Sequence, residues 1–249
     1  MKNTVFIVVV LIIILGGVWW YKSTRQRQSF VQEKVDSSAA LAGGTITPAA
    51  EPAPTVKKNS ITGSGTYAVD TTASVMKWEG RKPLLLNYVD TGIIGLKSGG
   101  LILEDSRVKS GTFTVDMASI KAEKSSNGDG ETLLTGHLKS DAFFDVEKFP
   151  ESVFTITTVE PVVTKEGDYV PFRFQVTGDF TMKGITNSIS FPAEIYEQDG
   201  ALKTHALVSL DRSKWDVRFG SGSFFSDLGD KIIDDMFTVT FDVVARQPA

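Results

Sequence analysis

Cysteine is absent from the chain of 249 residues. That absence excludes disulfides, thiolate metal ligands, thiol nucleophiles and a lipidated N-terminal cysteine. Histidine is scarce as well, because only His137 and His205 are present, and two residues offer little material for a histidine metal site. With no second histidine nearby, His137 is better interpreted as a hydrogen-bonded structural residue than as a metal ligand or a base.

Motifs typical of common enzymes are also missing. The sequence has no phosphate loop and no dinucleotide fingerprint, and the serines of 220–223 lack the G-x-S-x-G context of a nucleophile elbow. Two groups of acidic and amide residues fit polar turns better than calcium or acid–base sites, because their spacing matches no metal loop. These groups are Asp227, Asp230, Asp234 and Asp235, and Asn127, Asp129 and Glu131. We therefore predict no catalytic residue, no metal ligand and no enzymatic activity.

Charge is distributed unevenly along the chain. The net charge is −4, yet residues 1–29 carry four cations, Lys2, Lys22, Arg25 and Arg27, and no acid. The remainder of the chain is therefore acidic. An acidic domain behind a short basic segment argues against nucleic acid as a partner.

The N-terminal segment contains an uncharged stretch of 19 residues, from Asn3 to Tyr21. As a helix it would span ~28 Å, close to the hydrocarbon thickness of a bilayer. Aromatic residues at 19–21 stand where an interfacial belt would lie, and no small-x-small cleavage site follows the apolar run directly. We interpret 1–29 as an uncleaved transmembrane anchor with a basic flank, in preference to a cleaved signal peptide.

Residues 37–65 are rich in Ala, Gly, Pro, Ser and Thr and offer no material for a core, and the whole of 30–65 is predicted to form a flexible linker. The positive-inside rule, taken alone, would place the domain that follows in the cytoplasm, by a margin of about one charge.

Residues 66–249 show the alternation of apolar and polar residues that is typical of β-strands with one buried face. Turn signals such as 166–168, 182–184 and 198–200 separate the apolar runs at hairpin spacing. This pattern predicts an all-β domain, built as an antiparallel barrel or a sandwich. The only helix expected is a short one at Glu131–Lys139.

The apolar faces of these strands are unusually rich in Phe and Met. From the residues alone a packed core is the simpler interpretation, and a partly hollow barrel lined by these side chains is the alternative. The inward candidates are Phe113, Met117, Phe154, Phe172, Phe174, Phe180, Met182, Phe191, Phe237 and Phe241.

The segment Leu138 to Pro150, LKSDAFFDVEKFP, resembles the "LkS-x-xFFD-x-x-k-[YF]P" signature of the YceI-like family. The segment Val176 to Thr186 resembles that family's "v-x-G-x-LT-x-x-G-x-T" hairpin, with Phe180 in place of the usual Leu. The resemblance covers about residues 66–247. Where many relatives show His-x-Gly this chain has Asp90-Thr91-Gly92, so no role of that histidine is carried over.

The resemblance implies a lipocalin-like barrel, usually exported, in which some members hold a polyisoprenoid chain such as a quinone or a polyprenyl phosphate. On that basis the ten inward candidates are predicted to bind the lipid, and the barrel is expected on the periplasmic or extracellular side of the membrane. A solid barrel serving as an interaction or adhesion scaffold is the alternative, and an unusual carboxylate enzyme is a third hypothesis.

The adjacent rings of Phe143 and Phe144 cannot both point inward from a regular strand, so we expect a helix-to-strand corner there, with at least one ring inserted into the barrel.

Overall fold

The computed structural model describes residues 61–126, 128, 130–162 and 174–248. The predicted anchor at 1–29, nearly all of the predicted linker, Asn127, Asp129 and Phe172 lie outside these ranges. Within them, no helix combines the length and the apolar character that a membrane crossing requires.

The described part of the chain is an antiparallel β-structure with one short α-helix, as the alternation predicts. Its nine strands and its helix have the following bounds: β1 Gly65–Val69, β2 Val75–Arg81, β3 Val89–Glu104, β4 Arg107–Lys124, α1 Glu131–Lys139, β5 Glu151–Pro161, β6 Phe174–Met182, β7 Ile185–Gln198, β8 Ala201–Asp211 and β9 Met236–Arg246. Two short 3-10 turns, Arg212–Trp215 and Gly229–Lys231, lie between β8 and β9.

The strands close into a barrel because β3 has partners along both of its edges. One edge pairs with β4, and the other pairs first with β2 and then, nearer the end of β3, with β1. Strand β9 also pairs with both β1 and β2, so these two short strands share one place in the circle. Nine strands therefore make a barrel of eight places, and the predicted antiparallel barrel is confirmed.

Alternation directs one side chain into the barrel and the next to solvent. On β8, for example, Val208 is 6% exposed whereas Leu207 is 49% exposed. At the end of the barrel near the β3–β4 and β7–β8 hairpins the interior is filled. The side chains at this end that are at most 1% exposed include Leu103, Ala201, Leu202 and Ala245. The packed-core interpretation is thus correct for this end.

Helix α1 lies against β4, where the Thr135 hydroxyl accepts a hydrogen bond from the Ala122 amide at 2.9 Å. The chain then turns sharply through Asp145, which has a positive φ of 49°, before β5 begins. In this turn Phe143 is buried and Phe144 half-buried. Lys183 fixes the turn to the β6–β7 hairpin by donating to the Phe143 carbonyl oxygen at 2.7 Å. The expected helix-to-strand corner is therefore present, with the Phe143 ring inside.

We expect Phe143→Ala to lower the free energy of unfolding by ~3–5 kcal/mol, because it empties a buried ring site. Phe144→Ala should cost less, since its ring is partly exposed. Denaturant unfolding of both variants measures the difference. Equal costs, or a loss below about 0.5 kcal/mol for Phe143→Ala, would show that the buried ring does not hold the corner.

Candidate ligand-binding site

Two adjoining cavities lie inside the barrel. The outer cavity, beneath α1 and the corner that follows it, has a volume of about 380 Å³, and the inner cavity has a volume of about 130 Å³. The outer cavity alone falls in the ~300–1,000 Å³ range of ordinary ligand pockets. The two are neighbours because five residues line both: Met76, Val115, Phe180, Leu210 and Val239.

The wall of the inner cavity is almost entirely apolar. Among the described residues that line it, Thr204 supplies the only polar side chain. Burying an unpaired polar group in such a place costs roughly 2–7 kcal/mol. The inner cavity can therefore accept a hydrocarbon chain but not a polar head group.

Several aromatic rings lie against glycines of neighbouring strands. Phe113 on β4 faces Gly99 on β3, and a Cβ atom at Gly99 would lie 2.9 Å from its ring. Phe154 covers Gly178 in the same way, with ring atoms 2.6 Å from the position of a Cβ atom. Because glycine has no side chain, these rings can lie flat along the wall, where they line the inner cavity without filling it.

The outer cavity becomes more polar towards solvent. It reaches the surface at an opening, which we call the mouth, formed by the exposed residues Arg81, Leu133, His137, Phe219 and Lys231. Charged side chains of both signs stand around it, whereas the part next to the inner cavity is apolar. A ligand with an apolar chain and a polar end would match this gradient if its polar end stayed at the mouth.

Arg212 holds the segments on one side of the mouth together. Its guanidinium is only 5% exposed and donates to four backbone carbonyl oxygens at 2.8–3.1 Å. These acceptors belong to Val217, Phe219, Ile233 and Asp234. Burial lowers the pKa of Arg212, although nearby carboxylates oppose that effect. The guanidinium stays charged because its ordinary pKa is far above neutrality.

Asp235 lies beside this cation, with 3.3 Å between its Oδ1 and Arg212 Nη2, and its Oδ2 accepts from the Ser223 hydroxyl at 2.6 Å. Partial burial is the largest single influence and raises the pKa of Asp235. Hydrogen bonds from Ser221 and Ser223, with the charge of Arg212, outweigh burial and hold this pKa below its ordinary value. Asp235 is therefore a charged structural partner of Arg212.

The other acids that the sequence analysis singled out also have structural contacts or lie in solvent. Asp234 accepts from the Met236 amide at 3.0 Å, and Asp227 and Asp230 are exposed. Asp90 lies in the outer cavity, where its carboxylate accepts from the Ser126 amide at 2.7 Å. Within the described ranges, no group of three or more acidic or histidine residues is arranged to hold a metal ion.

Of the ten predicted lipid-binding residues, eight line a cavity. Met117, Met182 and Phe237 line the outer cavity; Phe113, Phe154, Phe191 and Phe241 line the inner one; and Phe180 lines both. Phe174 lines neither cavity and packs against the core instead. Phe172 lies outside the described residues. With no ligand present, the role of these side chains in binding stays a prediction.

The sequence analysis missed two kinds of cavity residue. Branched aliphatic side chains, such as Val176, Ile189 and Val208, line much of the inner cavity. The same alternation that marked the Phe residues could have found them, since they occupy the same inward positions. Arg212 was missed because its partners are backbone carbonyl oxygens, which have no signature in the sequence.

Comparisons with known proteins point to one family. The YceI-like domain family matches residues 67–245. Protein YceI of Salmonella arizonae is 33% identical over 95 residues, a match that spans 35% of this chain and 46% of that protein. The chain thus matches about half the length of this curated relative.

Two solved structures share the fold. Burkholderia cenocepacia BcnA is 18% identical, with a TM-score of 0.51 over 71% of this chain and 98% of that protein. A polyisoprenoid-binding domain from Saccharophagus degradans, implicated in plant cell wall breakdown, is 14% identical, with a TM-score of 0.53 over 73% of this chain and 98% of that one. At these identities the likeness concerns the fold alone.

Because of the pair of Arg212 and Asp235, the free energy of unfolding should fall as the solution becomes acidic. Because the pKa of Asp235 is lowered by folding, its contribution is present above the ordinary carboxyl pKa of about 4 and is lost as pH falls through the lower folded value. We expect Asp235→Asn to be less stable than wild type at pH 7 and to lose less further stability on acidification. Denaturant unfolding from pH 7 to pH 3 measures both.

Asp227→Asn is the matched control, since it removes an exposed charge from the same segment. A variant Asp235→Asn whose stability falls with pH as steeply as that of the control would contradict the assignment.

Proposed function

The chain belongs to the YceI-like family, and from that premise we propose that it is a membrane-anchored protein that binds a polyisoprenoid lipid in its barrel. The apolar chain would extend from the outer cavity into the inner one, and the polar head would stay at the mouth. The observation that carries the proposal is the change from an apolar inner cavity, through the adjoining outer cavity, to a charged mouth.

Burial of each methylene contributes ~0.8 kcal/mol, whereas association costs roughly 4–15 kcal/mol. A chain of several isoprene units offers enough apolar surface to exceed that cost, and short apolar molecules do not. The Saccharophagus domain with the same fold is described as polyisoprenoid-binding. That description supports the same ligand class here, as part of the proposal.

The hydrogen bonds of the acids near the outer cavity agree with a binding role better than with catalysis. Asp90, Asp234 and Asp235 each accept a hydrogen bond from the protein that fixes a neighbouring turn or segment. The scaffold hypothesis predicts a barrel without a continuous apolar cavity, and the two adjoining cavities favour lipid binding over it.

Affinity should rise with isoprenoid length until the cavities are filled. We expect mass spectrometry of an organic extract of the purified protein to detect a polyisoprenoid, and the delipidated protein to bind long chains more tightly than short ones. A complete absence of apolar ligand, with no dependence of affinity on chain length, would contradict the proposal.

A matched pair of variants on β8 tests where the chain lies. Val208→Phe adds a ring at a residue that lines the inner cavity, and Leu207→Phe adds the same ring on the outer surface. We expect Val208→Phe to weaken binding of long chains more than of short ones and to change stability little, because it fills empty space. A packed interior would instead make it destabilising by ~1–3 kcal/mol. Leu207→Phe should leave binding unchanged.

Anchoring through residues 3–21 is a second part of the proposal, supported by the length and the uncharged character of that stretch. We expect the intact chain in the membrane fraction after a high-salt wash, and protease added from the periplasmic or outer side should cleave within 37–65. As a control, Val9→Lys with Ile13→Lys should release the chain, since a lysine at a helix centre costs about 2.5–3.5 kcal/mol. A mature N-terminus near residue 40, or cleavage only from the cytoplasm, would contradict the anchor or its orientation.

A further inference from the structure

Large hydrophobic side chains that remain exposed are concentrated around the mouth. Among the described residues, thirteen are exposed, and seven of them lie in three segments at this opening: Leu84, Leu85, Leu86, Leu133, Phe219, Phe224 and Phe225. We call these seven residues the lip. Leu86 is 93% exposed and Phe225 49%. Contiguous exposed apolar surface on a protein typically marks a site of interaction with a membrane or a partner.

The three segments that carry the lip meet at the outer cavity. The Asp234 amide donates to the Arg81 carbonyl oxygen at 2.9 Å, which joins the β8–β9 connection to the end of β2 just before Leu84. Phe219 packs on Phe143, with 5.1 Å between ring centroids, so the same connection contacts the corner behind α1. The three segments that carry the lip therefore frame the opening through which a ligand of the outer cavity would pass, and Leu133 and Phe219 of the lip line that cavity.

Charged side chains near the lip are suited to an interface between lipid and water. Arg218 lies over the Phe224 ring, 5.1 Å from its centroid, and Lys82 lies 4.8 Å from the centroid of the Tyr88 ring. Such cations can keep their charge among head groups while their apolar stems contact hydrocarbon. Acids such as Asp227 and Asp230 are exposed in the same region, so the mouth has no single sign of charge. At a membrane surface, apolar contact would then hold the lip in place more than attraction to anionic lipid would.

We infer that the lip inserts into the interfacial layer of a bilayer and places the mouth against the membrane. This inference rests on the proposed function, because it supplies the route by which a water-insoluble lipid enters the cavity. A lipid that crosses water exposes its apolar chain and so meets a free-energy barrier, which direct contact between mouth and bilayer avoids. If 3–21 anchors the chain, the barrel begins at β1, near the β3–β4 hairpin and away from the mouth. The ~40 residues between anchor and barrel, at about 3.3 Å each, could reach ~130 Å at most, which is enough for the mouth to face the same membrane.

The absence of cysteine allows a direct test in the full-length chain reconstituted in phosphatidylcholine vesicles. Single cysteines introduced by Leu86→Cys or Phe225→Cys can each carry an environment-sensitive fluorophore. Leu207→Cys is the matched control, because Leu207 is 49% exposed like Phe225 but lies on the barrel wall, and Ile102→Cys places a label near the opposite end.

We expect labels at 86 and 225 to shift to shorter emission wavelengths, to be quenched by nitroxide-bearing lipids and to be protected from aqueous iodide. The two control labels should remain in water. The pattern should persist at high salt and change little when anionic lipid is added. Labels at 86 and 225 that stay as accessible to iodide as the label at 207 would overturn the inference, as would protection that requires an added protein.

A second measurement separates docking from lipid binding. Leu86→Asp with Phe225→Asp should slow the loading of delipidated barrel from donor vesicles by about tenfold or more, as expected for ~1.4 kcal/mol or more of lost interfacial contact. The amount bound at equilibrium should not change, because neither residue lines the outer or the inner cavity. Equal loading rates would overturn the inference and leave the proposed function intact, whereas a wild-type protein that never loads would contradict the proposed function itself.

Discussion

Strand β3 is paired along both edges, with β4 on one side and with β2 and β1 in succession on the other, and this arrangement closes the sheet. Closure leaves no strand at the end of an open sheet within the described part of the chain and directs alternate side chains of each strand inside. The interior must therefore be apolar. Whether it is solid or hollow then depends on the size of the inward side chains, which are tightly packed at one end and leave 380 and 130 Å³ free towards the other.

The open end depends on a different kind of interaction. The connection between β8 and β9 has little regular structure, and the buried guanidinium of Arg212 holds it by donating to backbone carbonyl oxygens on both of its arms. Leaving such a cation unpaired in the interior would be costly, so Asp235 and the carbonyl oxygens are needed to keep it there. The three lip residues on this connection, Phe219, Phe224 and Phe225, thus lie on a segment that a polar network holds in place.

Local patterns predicted much of this protein, and non-local contacts account for the rest. The period of two placed Phe113 and Phe154 on inward faces, and helix α1 was predicted at the residues where it occurs. Which end would be filled was not predictable, because it depends on cross-strand neighbours such as Ala193 and Ala206 that are distant in the sequence. Phe180, which stands where the family usually has Leu, lies where the two cavities meet, packed against Trp215, a position that its place in the motif did not predict. The membrane anchor at 3–21 and the role of Phe172 in binding concern residues outside the described ranges and stay predictions.

The pairs of aromatic ring and glycine on the barrel wall have an evolutionary consequence. Phe113 and Phe154 leave the lumen open only because Gly99 and Gly178 give their rings a place to lie. A methyl group gained at either glycine would leave the ring no room in its place on the wall, so the capacity of the barrel can change through positions that a cargo never touches. Within a lineage, the size of the ligand that fits could drift while all the apparent contact residues stayed the same. Alignments that compare only the lining side chains would then group proteins of different cargo together.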